Sequence, residues 1–216
     1  MFDIKLATII ANIPALMIGF AFHEFAHAWV ADRLGDPTPR SQGRLTLNPF
    51  VHLDLFGTLM ALLYRFGWAK PVITNPHYYR GDKRRGQMMV SLAGSIMNLI
   101  TAFVVMLLWF LTMLWLEASE WSGILSLVFQ STVLMNLGLG VFNLLPIPPL
   151  DGFGVLSSLL PERFAPQLQM IEQYGFVILI VLLFTDVLGN VLSPTVIGIF
   201  DAYQKIISLI LTPFLV

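Results

Sequence analysis

Two histidines and a glutamate, His23, Glu24 and His27, lie in a stretch that is otherwise almost entirely apolar. Within residues 6–31 the only other strongly polar residue is Asn12. The pattern is His-Glu-x-x-His, which in soluble proteins is typical of zinc peptidases. Histidines four positions apart on a helix can reach one zinc ion, and the glutamate, rotated by about 100°, can address a bound water. The sequence therefore predicts metal-dependent hydrolysis at a depth where water is scarce.

A catalytic zinc site needs a third protein ligand and an open position for water. Because the chain has no cysteine, the candidates are His52, His77 and the acidic residues at membrane depth. Asp151 is the strongest candidate, since it follows residues 143–150, where three prolines interrupt an apolar segment. Broken backbone at membrane depth is tolerated only where it is buried in protein or lines a wet cavity. We expect His52 to form hydrogen bonds within its own loop and His77 to be an ordinary loop residue.

The composition is that of a membrane protein. The chain has 216 residues, of which 56% are hydrophobic and 12% charged, and its mean hydropathy is +0.77. Soluble domains are about 25% charged. The net charge of −1 argues against nucleic acid as a partner, and the lack of cysteine excludes disulfides and thiolate zinc sites. The N-terminus lacks the basic region and small-residue cleavage site of a signal peptide, so the first apolar run should remain as a transmembrane helix.

Apolar segments of about 20 residues predict the spanning helices. Four segments meet or approach this length: 5–31, 88–116, 122–145 and 172–192. A fifth, 195–216, carries Asp201 and Lys205 one helical turn apart and should either span the bilayer or lie in its interface. We therefore expect an all-α membrane protein, a polytopic bundle of about 4–6 transmembrane helices forming one domain over residues 1–216.

The long connection between the first two spans, residues 32–87, holds nine of the twelve Lys and Arg residues. By the positive-inside rule this connection is cytoplasmic and the N-terminus is outside. We expect the membrane to be the cell (plasma or inner) membrane. His23 precedes Asp32 by nine residues, which puts the predicted site roughly 14 Å below the cytoplasmic face. A short apolar piece at 53–68 predicts a re-entrant element or small β-hairpin. We also expect segment 42–47 to offer a sheet edge to an unwound substrate.

Both motifs together resemble the site-2 protease family of intramembrane zinc metalloproteases. That family pairs His-Glu-x-x-His on one helix with Asn-x-x-Pro-x-x-x-Leu-Asp-Gly on another, and here His23–His27 and Asn143–Gly152 match both elements in full. The resemblance covers roughly residues 5–160. It is closest to a compact branch that lacks a PDZ-like insertion and an appended regulatory domain.

The resemblance implies one Zn²⁺ per chain, with His23, His27 and Asp151 as ligands and Glu24 as general base. The expected activity is an endopeptidase that cuts transmembrane peptides near the cytoplasmic side. Asn143 could donate a hydrogen bond to the substrate or to the developing oxyanion. The family pattern also suggests Asn98 as a weaker site candidate.

Two alternative functions stay open at this point. A divalent-metal transporter could use the same residues as an ion site, although it would need ligands on both sides of the midplane and they occur on one side only. A catalytically inactive relative is disfavoured, because His23, Glu24, His27 and Asp151 are all present. The oligomeric state does not follow from the sequence.

Overall fold

The computed structural model describes residues 6–64, 67–116 and 120–212 and is built from α-helices. The eight helices are α1 (Leu6–Leu34), α2 (Thr38–Ser41), α3 (Leu55–Tyr64), α4 (Lys83–Trp115), α5 (Glu120–Asn143), α6 (Asp151–Leu159), α7 (Ala165–Leu183) and α8 (Val187–Leu211). Short 3-10 turns cover Pro49–Val51, Pro76–Tyr78 and Glu162–Phe164. In the described ranges no β-strand is present, and one isolated antiparallel bridge joins Leu53 to Ala69.

Five helices, α1, α4, α5, α7 and α8, are long and apolar enough to cross a membrane. The expectation of an all-α polytopic membrane protein is therefore confirmed. The predicted fourth span, 172–192, is wrong in its bounds because a turn divides it. In that turn the N–H of Phe184 donates to the carbonyls of Ile180 and Val181, and the hydroxyl of Thr185 donates to the carbonyl of Leu182. The chain then starts α8 directly, so most of the 195–216 stretch lies in a helix of spanning length.

The predicted β-hairpin in the first connection is not supported, because residues 55–64 of its apolar piece form helix α3 and no strand is present in the described part of that piece. The Asp54 carboxylate accepts the backbone N–H of Gly57 and so caps the first turn of this helix. Ala61 of α3 packs against Leu16 and Phe20 in the middle of α1. The 42–47 segment forms no strand either, since Gly43 adopts a φ of +68° in the turn that follows α2.

The centre of the bundle consists of α1, α4 and α5. Glycines allow these helices to approach closely, as is common between membrane helices. An added Cβ at Gly19 of α1 would lie 2.7 Å from the side chain of Leu139, and one at Gly140 of α5 would lie 3.2 Å from the carbonyl oxygen of Ser95. Helix α8 packs on the outside of this core through Ile207. The close contacts fix the register of the three central helices.

Candidate metal centre

Helix α1 carries three of the predicted site residues on a buried face. His23, Glu24 and His27 are each about 8% exposed. The side chain of Asp151 reaches the two imidazoles from the first turn of α6. His23 and Asp151 thus meet although they lie 128 positions apart in the sequence. The segment between α5 and α6 that places Asp151 contains no helix or strand.

Three ligand atoms form an almost equilateral triangle. The Nε2 atoms of His23 and His27 are 3.1 Å apart, and each lies 3.2 Å from Oδ2 of Asp151. A tetrahedral zinc ion with bonds of about 2.0–2.1 Å holds its ligand atoms about 3.3 Å apart. The triangle therefore has the size that such an ion requires, with one corner of the tetrahedron left for water or substrate. Within the described ranges this is the one cluster of three metal-ligating side chains.

The charges around the triangle also suit a divalent cation. The carboxylates of Glu24 and Asp151 both line the cavity at this point, and no lysine or arginine is among the described residues that line it. Two carboxylates buried without a cation are costly, because each has lost hydration. A divalent cation held by the two imidazoles and Asp151 offsets this charge, so the residues present fit zinc.

Helix α4 orients the histidines from behind. The Nδ1–H of His27 donates a 2.7 Å hydrogen bond to the carbonyl oxygen of Val90, which leaves Nε2 free to bind a metal. Gly94, one turn further along α4, faces both rings. An added Cβ there would lie 2.5 Å from Cε1 of His23 and would also overlap Nε2 of His27. A bare backbone at position 94 is therefore needed for the imidazoles to reach their places.

The Pro-rich segment between α5 and α6 places Asp151. Two tight turns reverse the chain here. In the first the N–H of Leu145 donates to the carbonyl of Phe142, and in the second the N–H of Leu150 donates to the carbonyl of Ile147. Gly152 then packs directly on the backbone carbonyl of Leu144, where a side chain would not fit. This close approach brings the start of α6, and with it Asp151, back towards α1.

Glu24 is held by the backbone of the first connection. Its Oε2 accepts the N–H of Val72 at 2.8 Å. The segment that carries Val72, residues 70–75, is anchored at both ends. The N–H of Lys70 donates to the carbonyl of His52 at 2.8 Å, and the N–H of Asn75 donates to the buried carboxylate of Asp36 at 2.6 Å. We call residues 70–75 the anchored strap.

A buried arginine reinforces the first end of the anchored strap. Arg44 is 7% exposed, and its guanidinium donates to the carbonyl oxygens of Val51 and Lys70. Five fixed donors allow one guanidinium to join two separate loops in this way. The position of Val72, and hence that of the Glu24 carboxylate, depends on this loop structure.

Asn143 lines the same cavity at the last residue of α5. Its side-chain nitrogen donates one hydrogen to the carbonyl of Leu139 at 3.0 Å. An amide nitrogen carries two hydrogens, so the second is available to another acceptor.

The remaining sequence candidates lie away from the triangle. His52 is fully buried, and its Nε2 is 2.8 Å from the carbonyl of Thr46 within the loop. His77 is exposed on a 3-10 turn. Asn98 is buried one turn beyond Gly94 and is not among the residues that line the cavity. None of the three belongs to the metal-ligating cluster of the described residues.

A single cavity of about 1140 Å³ connects the triangle to a long apolar space between α1, α5, α7 and α8. Small-molecule sites measure about 300–1,000 Å³, so this space is larger than most of them. Its walls near the triangle include Pro71, Val72 and Thr74 of the anchored strap and the polar side chains of Gln87 and Ser91 on α4. The cavity thus has the volume to hold several residues of a peptide chain, and the ligand atoms lie in its wall.

Sequence reasoning assigned no role at the site to Val72, Val90 or Gly94, although the run from Trp68 to Val72 resembles the compact branch of the family. Val72 and Val90 act through backbone atoms, which have no signature in the sequence. Gly94 had a signal, a small residue in the middle of a membrane helix, but its partner helix could not be identified without the fold.

Comparison with known proteins identifies the family of this chain. The model for peptidase family M50 matches residues 112–185. YwhC of Bacillus subtilis, named as a zinc metalloprotease, is 40% identical over 207 residues, which cover 94% of this chain and 93% of YwhC. Rip2 of Mycolicibacterium smegmatis, named likewise, is 35% identical over 197 residues, covering 88% of this chain and 72% of Rip2. Rip2 of Mycobacterium tuberculosis strain H37Rv is 30% identical over 205 residues, with the same coverage. No solved structure matches significantly.

The relatives match over nearly the whole chain, and the five apolar helices agree with an integral membrane protein. The chain belongs to peptidase family M50, the site-2 protease family, and is a metalloprotease.

Proposed function

We propose that this chain is an intramembrane zinc endopeptidase that hydrolyses transmembrane substrates near the cytoplasmic side. His23, His27 and Asp151 hold one zinc ion in this proposal, and Glu24 is the general base. The observation that carries it is the triangle of ligand atoms with sides of 3.1–3.2 Å, beside a buried glutamate in a cavity large enough for a peptide. The chain acts as a single membrane domain.

The residues around the triangle divide the chemistry between them. A bound zinc ion supplies a Lewis acid that polarises a peptide carbonyl and acidifies water. Glu24 accepts the proton of the attacking water and passes it to the departing amine. The N–H of Val72 holds the Glu24 carboxylate in a fixed orientation during both transfers. The second amide hydrogen of Asn143 is available to the substrate carbonyl or the developing oxyanion.

The proposed orientation has the N-terminus outside and residues 32–87 in the cytoplasm. It rests on the nine basic residues of that connection. The triangle then lies about 14 Å from the cytoplasmic face, measured along α1 from Asp32. A substrate is cut near its cytoplasmic end, and most of its transmembrane segment lies on the external side of the cut.

Metal removal tests the proposed function directly. We expect purified protein in lipid to cut at least one member of a panel of synthetic transmembrane peptides, with products identified by mass spectrometry. Chelation should abolish cleavage, and one equivalent of Zn²⁺ should restore it, whereas Mg²⁺ should not, because it prefers six oxygen ligands. Transport of Zn²⁺ into proteoliposomes without cleavage of any peptide would instead favour the metal transporter.

A substitution at Val72 tests how Glu24 is oriented. Val72→Pro removes the N–H that donates to Glu24, a charge-assisted hydrogen bond. We expect kcat to fall about 10- to 100-fold with KM little changed, since such a bond is worth roughly 1.5–3 kcal/mol and each 1.4 kcal/mol is a factor of about ten. Val72→Ala keeps the N–H and is the matched control. Zinc content should be the same in both variants, and an equal loss of kcat in both would contradict the role of the N–H.

A further inference from the structure

The cavity continues far beyond the metal centre, along one stripe of α1 and one stripe of α5. The stripe on α1 runs from His23 through Phe20 and Leu16 to Asn12, and all four residues line the cavity. The residues of α5 that line it recur every three or four positions from Asn143 back to Ser131. The cavity therefore has one end at the metal centre and another between Asn12 and Ser131.

The register of α1 against α5 places Asn12 at the same depth as Ser131, and Glu24 at the same depth as Asn143. Leu16 and Phe20 of α1 share one apolar cluster with Met135 and Leu139 of α5, and an added Cβ at Gly19 would lie 2.7 Å from the side chain of Leu139. These contacts match a register in which residues at the same level differ by about 119 positions. The same offset pairs Glu24 with Asn143 at one end and Asn12 with Ser131 at the other. Eleven or twelve helical residues separate the two levels on each helix, which corresponds to about 17 Å. We call the space between them the distal arm.

The end of the distal arm is polar, whereas its walls are apolar. The side chains of Asn12 and Ser131 are half-buried, and neither makes a hydrogen bond to another residue in the part of the chain that the structure describes. Two neighbouring polar side chains of α5 do have partners: the amide nitrogen of Asn136 donates to the carbonyl of Thr132, and the hydroxyl of Thr132 donates to the carbonyl of Val128. The pair at the far end of the cavity is thus free to bind an occupant.

We propose that Asn12 and Ser131 form a distal subsite that binds the backbone of an unwound transmembrane substrate. This inference rests on the proposed function. A substrate cut at the metal centre continues towards the external face, and the distal arm runs in that direction. An extended chain rises about 3.3 Å per residue, so the arm holds about five residues beyond the cut. Their apolar side chains suit the leucine, methionine and phenylalanine walls.

Backbone chemistry explains why the far end of the arm is polar. Unwinding a substrate helix exposes N–H and C=O groups, and at membrane depth these need partners. The Asn12 carboxamide offers both a donor and an acceptor, and the Ser131 hydroxyl offers the same. A lipid acyl chain would fill the apolar part of the arm but would give these groups nothing to bind. The subsite therefore marks the point where the extended stretch ends.

A double-mutant cycle between enzyme and substrate tests the distal subsite. The probe is a synthetic transmembrane peptide that the wild-type protein cuts, together with a series in which single peptide bonds are replaced by esters. Asn12→Leu should raise KM about tenfold for the all-amide peptide, the effect of one or two hydrogen bonds. An ester about five residues from the cut, on its external side, should raise KM similarly with the wild type. With Asn12→Leu the ester should cause no further rise.

The controls separate this inference from the proposed function. Asn190→Leu removes an exposed carboxamide on α8, outside the cavity, and should behave as the wild type. Ser131→Ala should show the same coupling to the ester as Asn12→Leu. If the wild type cuts the peptide but the effects of Asn12→Leu and the esters multiply at every position, the distal subsite is wrong. The same result is expected if a lipid acyl chain, rather than the substrate, occupies the distal arm. If no peptide is cut by active-site-intact, zinc-loaded protein, the proposed function fails instead.

Discussion

Glu24→Gln is expected to reduce cleavage of transmembrane peptides by about 10²–10⁴-fold, the usual contribution of a general base. A glutamine keeps the size of the side chain and an oxygen that can accept the N–H of Val72, but it does not take up a proton. Zinc content should stay at the wild-type level, because Glu24 is outside the cluster of ligand atoms. The measurements are kcat with a cleavable peptide and zinc per chain by elemental analysis.

The matched control for this variant is Glu172→Gln. Glu172 is an exposed carboxylate on α7 that does not line the cavity, so its loss should leave kcat unchanged. Full activity of Glu24→Gln would show that another group accepts the proton. Loss of zinc from Glu24→Gln would show that Glu24 supports the metal site itself. Either result would require a different division of roles around the triangle.

Gly94→Ala is expected to lower both zinc affinity and cleavage by about 100-fold. The added methyl group would lie 2.5 Å from Cε1 of His23 and would overlap Nε2 of His27, so the rings must move. A misplacement of about 1 Å at a catalytic site can cost about 10²-fold in rate, and changes in groups that support metal ligands cost 10–100-fold in affinity. Zinc retained after dialysis against a chelator measures the first effect, and kcat/KM the second.

The control for Gly94→Ala is the same substitution where space is open. An added Cβ at Gly198 of α8 meets no other atom within 4 Å. Alanine is favoured over glycine in a helix by about 1 kcal/mol, so Gly198→Ala should be neutral or slightly stabilising. If Gly94→Ala behaved in the same way and kept its zinc, the close approach of α4 to the histidines would be refuted.

The parts of the molecule that depend on side-chain type could be predicted from the sequence. Apolar length gave the spanning helices, because a bilayer core demands about 20 apolar residues. The ligand triangle was predictable as well, since His23, His27 and Asp151 belong to two motifs with distinctive spacing. Their roles remain predictions, but their convergence at 3.1–3.2 Å is what those motifs require.

The wrong predictions of secondary structure arose where an apolar segment shows neither the helical nor the strand pattern of polar and apolar residues. Residues 53–68 are mostly apolar, apart from Asp54 and Arg65 near the two ends, and such a run does not separate a hairpin from a helix that packs on α1. The turn at 184–186 was missed for a similar reason, because it contains a single charged residue between two apolar segments. The contacts of Val72 and Val90 were not predictable at all, since every residue except proline carries the same backbone donor and every residue the same acceptor.

The anchored strap has a consequence for how this region can vary. Its contacts at Lys70, Val72 and Asn75 are made by main-chain atoms, so most exchanges of side chain leave them intact. Its length is fixed instead, because both ends are tied and Glu24 meets the middle. One inserted or deleted residue shifts every later amide by one place and turns the Val72 N–H away from the carboxylate. Related proteins can therefore carry many different side chains in this stretch, except proline where an N–H is needed, but its number of residues should stay the same.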